Sequence, residues 1–357
     1  MSKLHEAAGL GQSIWLNGVD RPLIHSHRLL DLIKLGVHGV TSHPILIANA
    51  LAESSDYDHQ LTGLVREGKQ IKQIEEKLLF TDMQTVADLI HPIYERTYGV
   101  DGYISLDVNP ALEHDLDELV SEGLRLVYDV DRVNVMVQIP ATDVGIEAIQ
   151  KLIGEGINVN ATHIYTIETY EKVARAYIAG LDYFWTHLDI WRLPPAAVAT
   201  LPVTRLDQAV SVMLNENDPL PTTAGIATAK VIYDRFQSIF GSKDWKDLAK
   251  HKSRLQRPLW ASSEDPHYVD NLLGANTVHS LPLVHITVFL DGNPMIDTLS
   301  PNLDKAKQTL ADLDARGIDL QALEQQLQTE AVQEIRQGYH QLSENTLRRR
   351  DALAKTL

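Results

Sequence analysis

Short apolar runs of β-forming residues alternate along the chain with longer segments in which apolar positions recur every three or four residues. The runs are Ile14–Leu16, Gly39–Thr41, Tyr103–Val108, Val133–Ile139, Ile157–Ala161, Ala197–Leu201, Leu255–Ala261 and Thr277–Ser280. The intervening segments Leu29–Leu35, Thr81–Tyr98, Asp115–Val130, Asp143–Gly154 and Thr166–His187 carry the period of amphipathic helices. Eight strands alternating with helices predict a parallel α/β sheet with helical crossovers, and closure into a (β/α)8 TIM-type barrel is the simplest architecture for it. Two parts are extra to the bare barrel. One is a helical insertion near 223–250, over Thr223–Phe240 and Asp244–Lys250; the other is a helical tail, 302–357, rich in Gln and Glu and expected to wrap the outside. No Pro/Gly/Ser linker or low-complexity tract separates these parts, so residues 1–357 are expected to form one domain.

Composition narrows the function without naming it. Hydrophobic residues make up 44% and charged residues 22% of the 357, as in an ordinary globular chain that folds throughout. The net charge of −16 repels phosphate backbones and anionic membranes, and the longest basic run, Arg348–Arg350, is short, so nucleic acid is not an expected partner. With Cys 0, disulfides, thiolate metal ligands and a cysteine nucleophile are all excluded. The N-terminus has no long apolar segment of the signal-peptide kind, and no stretch approaches the roughly 18 uncharged apolar residues of a membrane helix. A cytoplasmic protein without membrane contact is the expectation.

In a barrel of this kind the chemistry belongs at the C-terminal ends of the strands, where the βα loops converge. That rule selects Asn17, Ser42, His43, Asp107, Asn109, Gln138, Asn160, Thr162, His163, Thr200, Arg205, Trp260 and Ser262.

The segments carrying these residues are SIWLNGVDR, GVHGVTSHPILIANAL with SSDYDHQL, DGYISLDVNP, VNVMVQIPAT, EGINVNATHIYTIETYEKVARAYIAGLDYF, VTRLDQAV and RLQRPLWASS, in that order. Together they resemble the transaldolase family in its longer bacterial form. The resemblance implies a barrel that transfers a dihydroxyacetone unit between sugar phosphates through a Schiff base, formed on a lysine ending the fourth strand. Gln138 stands at that position here. The family's aspartate after the first strand falls on Asn17, its Thr-Ser-Asn-Pro asparagine on His43, its third-strand glutamate on Asp107, and two leucines on His163 and Ile164. Asn160 and Thr162 match, and Arg205 matches the arginine that holds the substrate phosphate. RPLWASS runs straight into EDPHYVDN, so the family's Thr-Gly-Thr-Lys stretch is shortened and its lysine lost.

A primary amide is neither basic nor nucleophilic at neutral pH, so Gln138 itself can form no iminium. The residues that accompany it are polar nonetheless. His43, Asp107, Gln138 and His163 form the expected catalytic set, and Asn17, Ser42, Asn160, Thr162, Thr200, Arg205, Trp260 and Ser262 the expected substrate contacts. The expected reaction makes or breaks a carbon–carbon bond, or cyclises, by enolate-type acid/base chemistry on a small carbonyl compound, in a specialised biosynthetic setting. His43 and Asp107 would move protons, while Gln138, Asn17 and Asn160 would polarise the carbonyl. Before Pro44, at a strand-to-helix turn, His43 would be kept neutral and basic by the helix N-terminus.

Plainer roles stand beside these. Trp260 has packing, Arg205 a pair with Asp207 or a helix cap, and His25, His27, His38 and His59 ordinary polar contacts. The spacing of Glu264, Asp265 and His267 suits no usual metal motif, so neither metal nor other cofactor is expected. Two other readings remain: a catalytically inactive barrel that binds a metabolite or partner, and sugar-phosphate aldol transfer by another amine. A homodimer is left open.

Overall fold

The computed structural model describes residues 2–187, 193–214, 223–262, 265–290 and 295–355. Each of the eight apolar runs forms a strand: β1 (Gln12–Asn17), β2 (Val37–Thr41), β3 (Ile104–Asp107), β4 (Val135–Pro140), β5 (Asn158–Thr162), β6 (Ala197–Pro202), β7 (Gln256–Ala261) and β8 (Thr277–Leu281). They pair in parallel in sequence order, and β8 closes onto β1 by pairing Gln12 with Thr277 through Leu16 with Leu281. The (β/α)8 barrel is therefore the fold.

Strand parity sets two apolar layers. Trp15, Tyr103, Met136, Val198, Leu259 and Val278 cluster inside the barrel, near its floor. Their neighbours Leu16, Leu106, Val137, Val159 and Leu201 belong to the larger cluster between the sheet and the helices. Gly39 is required by this packing, because a Cβ there would come within 2.4 Å of the Trp15 indole. The floor also holds a buried carboxylate. Asp101 accepts from Trp15 Nε1 at 2.9 Å, from Arg257 and His38 at 3.2 Å each, and from the Ser13 hydroxyl. Burial alone would raise its pKa, but Arg257, His38 and Ser13 outweigh that and hold it at about 2.

The helical segments fall close to their expected places. Asp143–Gly154 is a helix, with Thr142 as its N-cap accepting from Gly145 N at 3.0 Å. Thr81–Tyr98 belongs to a longer helix, Ile71–Arg96, which stops short of Tyr98; that residue is left-handed at φ 53°, followed by Gly99 at φ 71°. The segment expected as an insertion forms Ala224–Ile239 and Lys243–Ala249. Ala224–Ile239 buries most of its residues, so it is an integral part of the helical ring between β6 and β7 rather than a surface decoration.

The tail departs most from expectation. Its first helix, Leu303–Ala315, lies on the outside, where Ala306 and Leu310 pack against Ala227 and Val231. The second, Leu320–Ala354, instead crosses the C-terminal mouth of the barrel. Its buried positions Leu323, Glu324, Leu327, Ala331, Val332, Gly338, Leu342 and Asn345 recur at helical spacing and define one face. Glu324 ties one end to the β5 side, accepting from Tyr165 N at 2.7 Å, Thr166 N at 3.0 Å, Thr166 Oγ1 at 2.9 Å and Thr169 Oγ1 at 2.6 Å. Asn345 Nδ2 donates to Ala48 O at 2.8 Å, and Arg349 reaches Asp58 at 2.6 and 2.8 Å, tying the other end to the β2 side. Between them Gly338 allows a close crossing, since a Cβ there would stand 3.3 Å from Ile45 N. Among the described residues no helix is long and apolar enough to cross a membrane.

Candidate functional site

Above the apolar floor the inward positions of the strands turn polar. Thr41 Oγ1 donates to Asn17 Oδ1 at 3.1 Å, linking β2 to β1. Thr200 Oγ1 donates to Asn160 Oδ1 at 2.6 Å, and Asn160 Nδ2 donates to Ser105 Oγ at 3.3 Å, spanning β6, β5 and β3. Gln138 lies between, in register with Asp107 on one side and Asn160 on the other. Its Nε2 makes only long contacts, 3.4 Å to Ser42 O and 3.5 Å to Ser105 O. A buried amide so loosely held retains capacity to donate to a ligand carbonyl.

Protonation separates the residues further. Burial pushes the Asp107 carboxyl up to about 7, where it can hold or release a proton near neutrality. Tyr339 of the mouth-crossing helix donates its hydroxyl to Asp107 O at 3.2 Å, and burial together with Asp107 raises that phenol. His43 is the N-cap residue of the helix Pro44–Glu53, as its place before Pro44 suggests. Burial lowers its pKa and Glu334 partly opposes this, so the imidazole is neutral. His163 adopts a left-handed backbone at φ 59°, and burial, with Arg205 and His43 adding to it, lowers its pKa to about 4. The two histidines influence one another's charge, and Nδ1 of each is buried without a hydrogen-bond partner. A base of pKa about 4 is weak at neutral pH, so His163 suits an uncharged polar role better than proton abstraction.

The helix Leu320–Ala354 roofs this layer. Gln328 Nε2 donates to Ala141 O at 3.1 Å and His163 O at 3.0 Å, and Arg336 donates to Pro110 O at 3.3 Å and Glu113 at 2.9 Å. Beneath Val332 and Ile335, beside Asp107, Gln138, Pro140 and Thr162, remains a cavity of about 10 Å³. That volume is of the order of one water, so a substrate that reaches Asp107 and Gln138 there needs the roof to shift. Arg205, at the rim, reaches Glu334 at 2.6 and 2.9 Å and Glu330 at 3.3 Å. Asp207, its expected partner, instead accepts from Gly225 N at 2.8 Å and Tyr268 Oη at 3.0 Å.

Two expected substrate contacts do not face the mouth. Trp260 is fully buried and packs in the cluster between the sheet and the helices, because parity on β7 turns Leu259 inward and its neighbour outward. Packing is its role. Ser262 is likewise buried, its Oγ 2.7 Å from His279 Nε2 on β8, and burial keeps that imidazole neutral with a pKa of about 3. Asp265 caps the helix Pro266–Asn271 by accepting from His267 N at 2.9 Å, while Glu264 lies outside the described residues. Among the described residues no group of three or more His, Cys, Asp or Glu could hold a metal ion.

A cleft of about 1030 Å³ opens at the opposite end, at the barrel floor. Several of its cations already have partners: Lys250 pairs with Asp247 at 2.5 Å, Arg257 with Asp101 at 3.2 Å, and Arg254 donates to the carbonyls of Pro194 and Tyr98. The contributions of Gln328, Glu330, Glu334 and Tyr339 escaped the strand-end rule because they come from the tail. For Gln328 and Tyr339 the sequence signal is the recurrence of Glu324, Gln328, Ile335 and Tyr339 on one helical face, whereas Glu330 and Glu334 lie off that face and carry no such signal.

Comparison with known proteins gives a consistent match. Residues 14–346 match the family model described as Transaldolase/Fructose-6-phosphate aldolase. A transaldolase of Saccharopolyspora erythraea is 36% identical over 354 residues, covering 96% of each chain. A transaldolase of Trichodesmium erythraeum is 33% identical over 91% of each, and transaldolase 2 of a Nostoc species is 32% identical over 96% of each.

Proposed function

This chain belongs to the transaldolase/fructose-6-phosphate aldolase family, and from that premise we propose that it performs aldol-type carbon–carbon bond transfer or cleavage on a small carbonyl compound, without an iminium at Gln138. The observation that carries the proposal is the pairing of Asp107, with its carboxyl at about 7, and the loosely held Gln138 amide across one strand register and one small cavity. In the cleavage direction the Asp107 carboxylate takes the proton of the β-hydroxyl group, and that oxygen becomes the carbonyl of the departing fragment. The electrons of the broken carbon–carbon bond pass to the other carbonyl as an enolate, whose oxygen receives the hydrogen bond of Gln138 Nε2. The proton held on Asp107 returns to the enolate carbon. Asn160 and Asn17 orient the substrate polar groups, and neutral His43 relays protons at the rim.

A second reading is covalent sugar-phosphate transfer by an amine elsewhere, favoured by relatives that carry the name transaldolase. Lys230 illustrates what such an amine needs, because burial lowers its pKa. It sits in the helix Ala224–Ile239, however, donating to the carbonyls of Thr298 and Pro301 rather than facing a strand end.

Borohydride reduction in the presence of fructose 6-phosphate, followed by peptide mass mapping, separates the readings. Turnover with no lysine adduct supports the proposal, whereas a mapped lysine adduct establishes the covalent route. Neither adduct nor turnover, for any small aldose or ketose, moves the chain to the metabolite-binding reading.

A further inference from the structure

Arg205 is half-buried at the rim of the mouth, and both acids that hold it come from the roof. Glu334 engages the guanidinium through both carboxylate oxygens, at 2.6 and 2.9 Å, and Glu330 adds a contact at 3.3 Å one helical turn earlier. Two parallel N–H···O contacts reproduce the geometry with which arginine grips a phosphate or carboxylate ligand. The chain thus presents to its own rim cation the group that an anionic ligand would present.

We propose that Glu330 and Glu334 determine specificity by acting as a built-in competitor for anions at Arg205, so that an anionic substrate binds only by displacing them and loosening the roof. The inference rests on the barrel mouth being the working site. Three observations fit displacement. The acids are exposed, with side-chain accessibilities of 47% for Glu330 and 59% for Glu334, so the pairs are partly solvated and yield to a more highly charged ligand. The cavity beneath the roof beside Asp107 and Gln138 holds about 10 Å³, so a substrate that reaches this pair must move the roof. Glu324 and Arg349 fix the two ends of the helix, so opening of its middle breaks the contacts of Gln328, Arg336 and Tyr339 while both ends stay anchored. A dianionic ligand thereby repays part of the opening that a neutral one must meet alone.

The test is calorimetric titration with inorganic phosphate and with fructose 6-phosphate. It compares wild type, Glu330→Gln/Glu334→Gln, the same pair combined with Arg205→Ala, and a control that removes two remote exposed charges, Glu67→Gln/Glu95→Gln. The expected result is phosphate affinity at least tenfold higher in Glu330→Gln/Glu334→Gln than in wild type, with the gain abolished by Arg205→Ala and absent from the control. The proposal is overturned if the paired variant binds phosphate no better than wild type, if the control gains as much, or if the gain survives loss of Arg205. Phosphate has no carbonyl group, so this outcome is independent of the aldol chemistry. Failure of the aldol reading would appear instead as absent turnover with phosphate binding intact.

Discussion

Asp107 and Gln138 stand side by side, yet the sequence foretold them unequally. Both were legible as strand-end residues, because β3 and β4 stand out as runs of β-forming residues and the residue at a strand's end follows from the count. The protonation state of Asp107 was not legible, since its pKa of about 7 arises from burial beneath a roof contributed by residues more than two hundred positions away. A stability prediction follows. The carboxyl is raised from 3.8 to about 7 on folding, so between those pH values the folded chain holds a proton that the unfolded chain has released, and stability falls as pH rises through that window. Asp107→Asn removes this loss. At pH 8 the variant should be more stable than wild type by about 1–2 kcal/mol, after discounting an upper limit of about 4 kcal/mol for the partial exposure of the group. At pH 4 the two should match. Urea unfolding at the two pH values checks this. Gln138→Ala should lower kcat by roughly a hundredfold or more if its amide supports the developing oxyanion, with KM changed much less, as steady-state kinetics would show. Trp260 shows the opposite case, where the sequence contained the answer: Arg257, Leu259 and Ala261 share one parity and Trp260 has the other, so its outward direction follows once β7 is placed.

At the scale of elements, the helix Leu320–Ala354 is where the sequence reading fell short. Its Gln- and Glu-rich composition suggests a solvated outer helix, but the polar residues on its inner face are the ones that bind the ends of β5 and the loops around the mouth. Glu324 is the clearest example. It is a buried carboxylate whose four donors come from Tyr165, Thr166 and Thr169, at the start of the helix Ile167–His187. Glu324→Ala leaves two buried N–H groups and two hydroxyls without that acceptor and should cost about 2–4 kcal/mol. It should also free the roof, so limited proteolysis is expected to cut within 320–340 faster than in wild type. Equal cleavage rates would contradict the anchoring role.

Across the whole molecule the two ends of the barrel divide the work. The floor is built around Asp101, whose charge is matched by Arg257, and the mouth around groups left uncharged or loosely held. Asp101→Ala leaves the buried Arg257 without its partner and should cost about 3–5 kcal/mol in thermal or chemical unfolding. The barrel itself was legible because eight strands and their helices repeat one alternation, and each strand carries enough β-forming apolar residues to stand out from the helices around it. The position of the tail was not, because a helix of this composition gives no sign of which surface it will cover. Only its buried face, visible once folded, shows that the mouth is closed.

The measurement that bears most directly on the central claim is the pH dependence of kcat/KM for aldol cleavage or transfer, from pH 5 to 9, in wild type and Asp107→Asn. Catalysis by the Asp107 carboxylate predicts a rate that rises with pH through an inflection near 7, and an Asp107→Asn enzyme that is at least a hundredfold slower and lacks that inflection. An Asp107→Asn enzyme with an unchanged rate and profile would contradict the account.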